Sequence, residues 1–209
     1  DQTPWDRWIA NDPTALTHQE RLGLIAFEAA NAGCRFCHAN ARFTNNLFKN
    51  IGLRPPDEDL GRFNITGFAP DRGRFRIPSL RNVGLRPRFM HNGQIQSLEQ
   101  VVAFYRQVNG PVAFFENRDR ELNAISMTDT EATNIVAFLR NGLTDPRVAN
   151  EEFPFDRPKL RSEWLDGDVN CDGVVTVSDI SPFVLILTDA GAYAAQFPTC
   201  NASAADMNL

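Results

Sequence analysis

Cys34-Arg35-Phe36-Cys37-His38 is the stretch on which the reading of this chain turns. It fits C-x-x-C-H, the pattern of covalent haem attachment: two thiols three positions apart can each bond one vinyl group, and the adjoining imidazole then reaches the iron as proximal ligand. Other uses of a C-x-x-C pair need more than this motif offers. A zinc site would require two further ligands, and a thioredoxin-like site a βαβ setting. The motif therefore implies one covalent haem c held by Cys34, Cys37 and His38.

Upstream of the motif, Trp5, Trp8 and Ile9 fall at helical spacing, and Thr17-His18-Gln19-Glu20 carries a capping-box signal from Thr17 to Glu20. A helix is expected after it, with Leu22, Ile25, Ala26 and Ala29 at its period and Gly33 closing it just before the cysteines. His18 sits at that helix start and reads as a solvated polar residue, not a ligand. Downstream, from Ala39 to Pro87, glycines and prolines such as Gly52, Pro55, Gly61, Pro70 and Pro78 break any long period. Loop regions of that length are usually functional, and here they are expected to wrap the haem. Arg74, Arg76 and Arg81 are candidate partners for its propionates, being always charged and able to bond bidentately; the alternative for each is a surface arginine. Ser97 caps a further helix to Gln107 with Leu98, Val101, Val102 and Tyr105 on one face. Thr128-Asp129-Thr130-Glu131 opens another, with Ile135, Val136, Phe138 and Leu139 as its apolar set and Gly142 at its end.

A chain of 209 residues with 43% hydrophobic content can bury a core, and its length suggests one domain plus a smaller module. Net charge −5 and a pI near 5.2 argue against nucleic acid or an anionic membrane surface as partner. No apolar run approaches the ~20 residues that a membrane span needs. The chain begins at Asp1 without a signal peptide, which suggests a mature, processed or fragmentary chain. Of four cysteines, two belong to the haem motif. Cys171 and Cys200 remain as a pair, a usage that suits an oxidising compartment and so a periplasmic or extracellular location.

Several stretches then carry a family resemblance. Cys34 to His38, the run Phe43-Thr44-Asn45-Asn46, the segment from Asp71 to Val83 containing Arg76-Ile77-Pro78-Ser79-Leu80-Arg81-Asn82-Val83, and Met90-His91-Asn92-Gly93 followed by Leu98-Glu99-Gln100-Val101-Val102 resemble the C-terminal haem domain of the dihaem cytochrome c peroxidase and MauG family. The match covers roughly residues 1 to 145. It implies His38 as proximal ligand and, by the family's register along the helix after His91, Tyr105 as distal ligand. Met90 is the competing thioether. His91 reads as a pocket residue. Two departures stand out. One C-x-x-C-H is present where the family has two haems, and Ala32 stands where MauG places a tryptophan two residues before the haem cysteine. The family also holds calcium between its two domains, through backbone carbonyls near positions 86 to 88.

At the C-terminus, Asp168-Val169-Asn170-Cys171-Asp172-Gly173, with Asp179 beyond, fits an EF-hand type of calcium loop. Its donors are Asp168, Asn170, Asp172, Thr176 and Asp179, with the Val174 carbonyl; the alternative is a solvated Asp/Asn turn. Aspartate at the last position and a helix from Ile180 through Leu187 resemble a dockerin repeat. Asp206-Met207-Asn208 looks like the opening of a second loop that the chain does not finish. A Cys171–Cys200 disulfide would close about 30 residues, worth roughly 3 to 4 kcal/mol in the chain-entropy account.

The expected architecture is mainly α: a class I c-type cytochrome-like haem domain with long loops at 1–145, a linker or strap at 146–165, and a small EF-hand-like or dockerin-like module at 166–209. Three functions compete. The first is an electron-transfer haem domain of a peroxidase or MauG-like oxidoreductase, working with a redox partner such as a second haem domain or chain. The second is a one-haem peroxidase acting alone, with His91 its one available acid/base. The third is a haem subunit of an extracellular assembly, attached through its tail to a cohesin-like partner or to itself.

Overall fold

In a computed structural model, which describes residues 2–111, 113–155, 167–172, 174–198 and 200, the chain divides into two units, Asp1–Asp156 and Arg157–Leu209. In the first, α1 (Pro4–Ile9) and α2 (His18–Glu28) both open on reciprocal capping boxes, Thr3 with Asp6 and Thr17 with Glu20. Each box satisfies two amide groups that a helix start otherwise leaves unpaired. The helix α2 stops at Glu28, short of Gly33. Gly33 is in the left-handed region (φ 71°) and instead turns the chain into α3 (Cys34–Cys37), the haem motif itself.

The core is made where α2 packs against α6 (Asp129–Ala137). Gly23 is the contact point: a Cβ there would fall on the Asn134 carbonyl and 2.7 Å from Phe138 Cβ, so only glycine lets the helices approach this closely. Phe27, Ile135, Phe138 and Leu143 fill the seam, each at most 2% exposed. The last turn of α6 widens into a π-helix at Phe138–Gly142. Between these helices run β1 (Phe48–Lys49), α4 (Phe63–Thr66), β2 (Phe75–Arg76) and α5 (Leu98–Arg106), with 3₁₀ turns at 69–71, 83–85 and 120–124. Strands β1 and β2 pair antiparallel, Phe48 with Arg76 and Lys49 with Phe75. Two-residue strands are all the sheet the described residues form, so the mainly α reading holds.

The segment that follows 145 begins as packed structure. Asp145, with no exposed surface, accepts the Gln2 amide (2.9 Å) and the Arg147 guanidinium (2.8 Å), and it caps α7 (Pro146–Ala149). Arg147 also lies over the Phe155 ring. Residues 146–155 thus belong to the first unit, and the rest of the expected linker, 156–165, lies outside the described residues.

In the second unit, a 3₁₀ turn at 177–179 leads into α8 (Ile180–Thr188), close to the helix expected there. A further helix, α9 (Ala190–Gln196), had no clear apolar period to announce it; Asp189 caps it through the Ala192 amide. The expected disulfide is present, joining Cys171 to Cys200 with Cα atoms 5.7 Å apart. Tyr193 is buried beside it and donates to the Val169 carbonyl (2.8 Å). Gly173 and the Asp206-Met207-Asn208 stretch lie outside the described residues.

Candidate haem site

The motif forms a single turn: the His38 amide donates to the Cys34 carbonyl (2.9 Å), so both sulfurs and the ring leave one short element. His38 Nδ1 donates to the Phe43 carbonyl (2.9 Å), which leaves Nε2 as the nitrogen able to coordinate a metal. Cys34, Cys37 and His38 open onto a cavity of about 370 Å³ whose other walls carry Tyr105, Met90, His91 and apolar side chains such as Phe27, Ile77, Leu80 and Val102. Ala32, in the position of the family's tryptophan, is buried and lies on the same wall.

The chemistry of the donors suits haem c and suits the alternatives poorly. Burial pushes the Cys34 thiol up to about 12 and raises Cys37 as well, so both sulfurs stay protonated at neutral pH. A redox C-x-x-C pair or a zinc thiolate needs the opposite shift. Among the described residues, no group of three His, Cys, Asp or Glu side chains is gathered as a metal ion would need. Burial also lowers the His38 imidazole, against the opposing hydrogen bonds of the Phe43 and Pro78 backbone, which favours the neutral ring that ligates iron. On the same cavity, the Tyr105 phenol is raised, first by burial and then by the Cys37 and Cys34 sulfurs. Its hydroxyl has no hydrogen-bond partner among the described residues. Tyr105 is half-buried, and its side chain opens on the cavity.

The remaining sequence candidates separate. Met90 is on the cavity wall with φ 67°, in a turn where side chains other than glycine are strained. His91 is there too, stacked on Phe75 with ring centroids 3.6 Å apart, its Nε2 3.5 Å from Asp59. Of the three arginines, Arg76 alone reaches the cavity, where it also donates to Asn46 (2.9 Å). Arg74 is turned to Asp119 (3.2 Å) and Arg81 to Asp6 (2.5 and 2.8 Å), so neither lines the cavity. Arg86 and Arg88, which the sequence reading passed over, are on its wall with no side-chain partner among the described residues. Their one signal was position, flanking Pro87 just before Met90-His91-Asn92-Gly93. Also unforeseen is a charged edge near Cys37, where Lys49 bridges Asp119 (3.1 Å) and Glu121 (2.7 Å).

In the second unit, Asp168, Asn170, Asp172, Thr176 and Asp179 close one loop. The Asp172 amide donates to Asp168 (3.1 Å) and the Asn170 side chain to Asp172 (2.8 Å). Asp179 accepts the amides of Val169 (2.8 Å), Asn170 (3.1 Å) and Thr176 (2.8 Å). Those amides, Thr176 first, hold its carboxyl below the usual range against burial. The Val174 side chain is exposed. The described residues include no helix long and apolar enough to cross a membrane.

No protein-family model matches the chain. Individual proteins do. It is 35% identical over 154 residues to the methylamine utilization protein MauG of Methylorubrum extorquens, covering 69% of this chain and 40% of that protein. To the cytochrome-c peroxidase IdrP1 of Denitromonas iodatirespirans it is 28% identical over 194 residues, 78% of this chain and 49% of that protein. Among solved structures, a MauG-like protein associated with microbial copper homeostasis superposes with TM-score 0.64 at 27% identity, over 74% of this chain and 51% of that one. The chain spans about half the length, or less, of the curated relatives it matches.

Proposed function

Since the chain is homologous to the dihaem cytochrome c peroxidase and MauG proteins, we propose that its first unit is a c-type haem domain that passes electrons to or from a partner haem, outside the cytoplasm. Cys34 and Cys37 would hold the group covalently, His38 would offer Nε2 to its iron, and Tyr105 is the residue that would serve as the second ligand. When bound, the haem supplies a one-electron couple. The observation that carries the reading is a single cavity lined by Cys34, Cys37, His38 and a Tyr105 whose hydroxyl makes no hydrogen bond among the described residues. Thioether formation would remove two of the three causes that raise that phenol, because neither sulfur could then be charged. Phenolate ligation favours ferric iron and fills the position that peroxide would need. Four arginines line the cavity; Arg54 is paired with Glu58, and Arg76, Arg86 and Arg88 are the ones able to pair with propionates.

The electronic spectrum of the oxidised protein tests this directly: a low-potential, six-coordinate ferric haem is expected, with little peroxidase activity. Rapid peroxide turnover with a small donor, and no second haem chain present, would falsify the electron-transfer role and leave a one-haem peroxidase with His91 as its acid/base.

For the second unit we propose a calcium-binding, dockerin-like module, supported by the sequence spacing of the oxygen donors Asp168, Asn170, Asp172, Thr176 and Asp179 with the Val174 carbonyl; the three carboxylates are not gathered as a metal ion would need, so the ion itself would have to draw them together. Its partner would be a cohesin-like protein or another copy. Chelation should then lower the melting temperature of the module. An unchanged melting curve at saturating chelator would leave the solvated Asp/Asn turn as the reading.

A further inference from the structure

We infer that Arg81, with Asp6 and Ser79, is a positioning clamp that sets the donor strength of the axial histidine. This rests on the reading that His38 ligates the haem iron. The His38 ring is oriented by the Phe43 carbonyl (2.9 Å), with the Pro78 backbone, next to Ser79, as a second partner. That carbonyl belongs to the turn at 39–44, where Asn40 (φ 60°) and Phe43 (φ 51°) both occupy the left-handed region. A buried phenylalanine stays in such a conformation only when its surroundings over-determine it.

Within the turn, the Phe43 amide donates to the Asn40 carbonyl (3.0 Å) and the Thr44 amide to that of Ala39 (3.1 Å). The stronger grip comes from outside. Ser79 Oγ donates to the Arg42 carbonyl (2.7 Å), and Arg81 donates to the Ala41 carbonyl through Nε (3.0 Å) and Nη2 (2.7 Å). The fork of the same guanidinium closes on Asp6, Nη1 to Oδ2 at 2.5 Å and Nη2 to Oδ1 at 2.8 Å. Asp6 is fixed in turn by the Thr3 amide (3.0 Å) and hydroxyl (2.7 Å). Arg81 also lies over the Trp5 ring at 5.0 Å. Three segments distant in sequence, 3–6, 39–44 and 79–81, therefore meet on one charged group that is largely buried.

The electronic consequence follows from the hydrogen bond at the end of this chain of contacts. A carbonyl that accepts from Nδ1–H makes the opposite nitrogen a better donor, and a better donor stabilises ferric over ferrous iron. Freeing the turn lengthens that bond, weakens the donor and moves the haem to a more positive potential. Lysine cannot substitute, since a point charge on a flexible stem does not bridge a carboxylate and a carbonyl as the planar fork does.

The test uses the full haem-loaded chain. Arg81→Lys and Asp6→Asn should each raise the midpoint potential, and the double variant should shift it no further than the larger single, because the residues act as one unit. A core control, Val136→Ala, thins the α2–α6 seam and should lower the melting temperature while leaving the potential in place. Should Arg81→Lys fail to fold, Asp6→Asn and Ser79→Ala carry the measurement. Melting temperatures that fall with potentials that do not move reduce Arg81 to a structural tie and overturn the clamp. Magneto-optical spectra of the wild type keep the two readings apart: without a histidine signature both fail, whereas with it, unmoved potentials sink the clamp alone.

Discussion

Two stretches of the cavity wall are built differently. On the side of His38, the ring is tied to Phe43, the turn behind it to Ser79 and Arg81, and those to Asp6 and Thr3, so each polar group leads to another. Elsewhere on the cavity wall, Tyr105 and Met90 come from α5 and from a strained turn, and among the described residues the Tyr105 hydroxyl makes no hydrogen bond. A fold that ties the His38 ring by hydrogen bonds and leaves the Tyr105 hydroxyl without one among the described residues fixes the first side chain and leaves the second to be set by whatever fills the cavity.

Substitutions can break or sharpen this contrast. The largest effect is expected at the covalent tie: Cys34→Ala with Cys37→Ala should let acid-acetone extraction remove all haem, which stays with the wild-type chain. Next comes packing. Phe43 is 4% exposed among Trp5, Phe27 and Phe138, so Phe43→Ala should cost about 3–5 kcal/mol in denaturant unfolding. Tyr105→Phe, on the other stretch of wall, should change stability by within about 0.5 kcal/mol, since no hydrogen bond is lost, yet open the distal position and raise the potential. Equal stability losses at the two positions would erase the asymmetry.

Acid offers a milder probe. Despite the opposing effect of burial, the hydrogen bonds from Arg81 and Thr3 hold the Asp6 carboxyl below its ordinary value. A depressed carboxyl contributes stability that is present above the unfolded-state value of about 4 and is lost as pH falls through the folded one. The His38 side should loosen in that window, and Asp6→Asn should flatten the stability–pH curve there. The Tyr105 phenol, shifted upward, contributes nothing to the acid limb. Smallest of all, Met90→Leu should leave the ferric spectrum nearly unchanged; a large spectral change would move the distal assignment from Tyr105 to Met90.

What could be read from the sequence follows the range of each interaction. Thr17 with Glu20, Thr128 with Glu131 and Cys34 through His38 are contacts within five residues, and the chain spells them out. The Cys171–Cys200 pair was readable by counting. The arginines were not, because their partners are remote: Asp6 lies 75 positions from Arg81 and Asp119 lies 45 from Arg74. Charge alone made all three look alike. Gly33 was misplaced because a left-handed glycine serves a helix end and a helix start equally well.

The setting of the two motif sulfurs also bears on how the protein is completed. Cys34 and Cys37 are half-buried and open onto the cavity, not into the α2–α6 seam. The space in which they would meet the vinyl groups is therefore present in the folded chain, and the seam need not open for the cofactor to reach them.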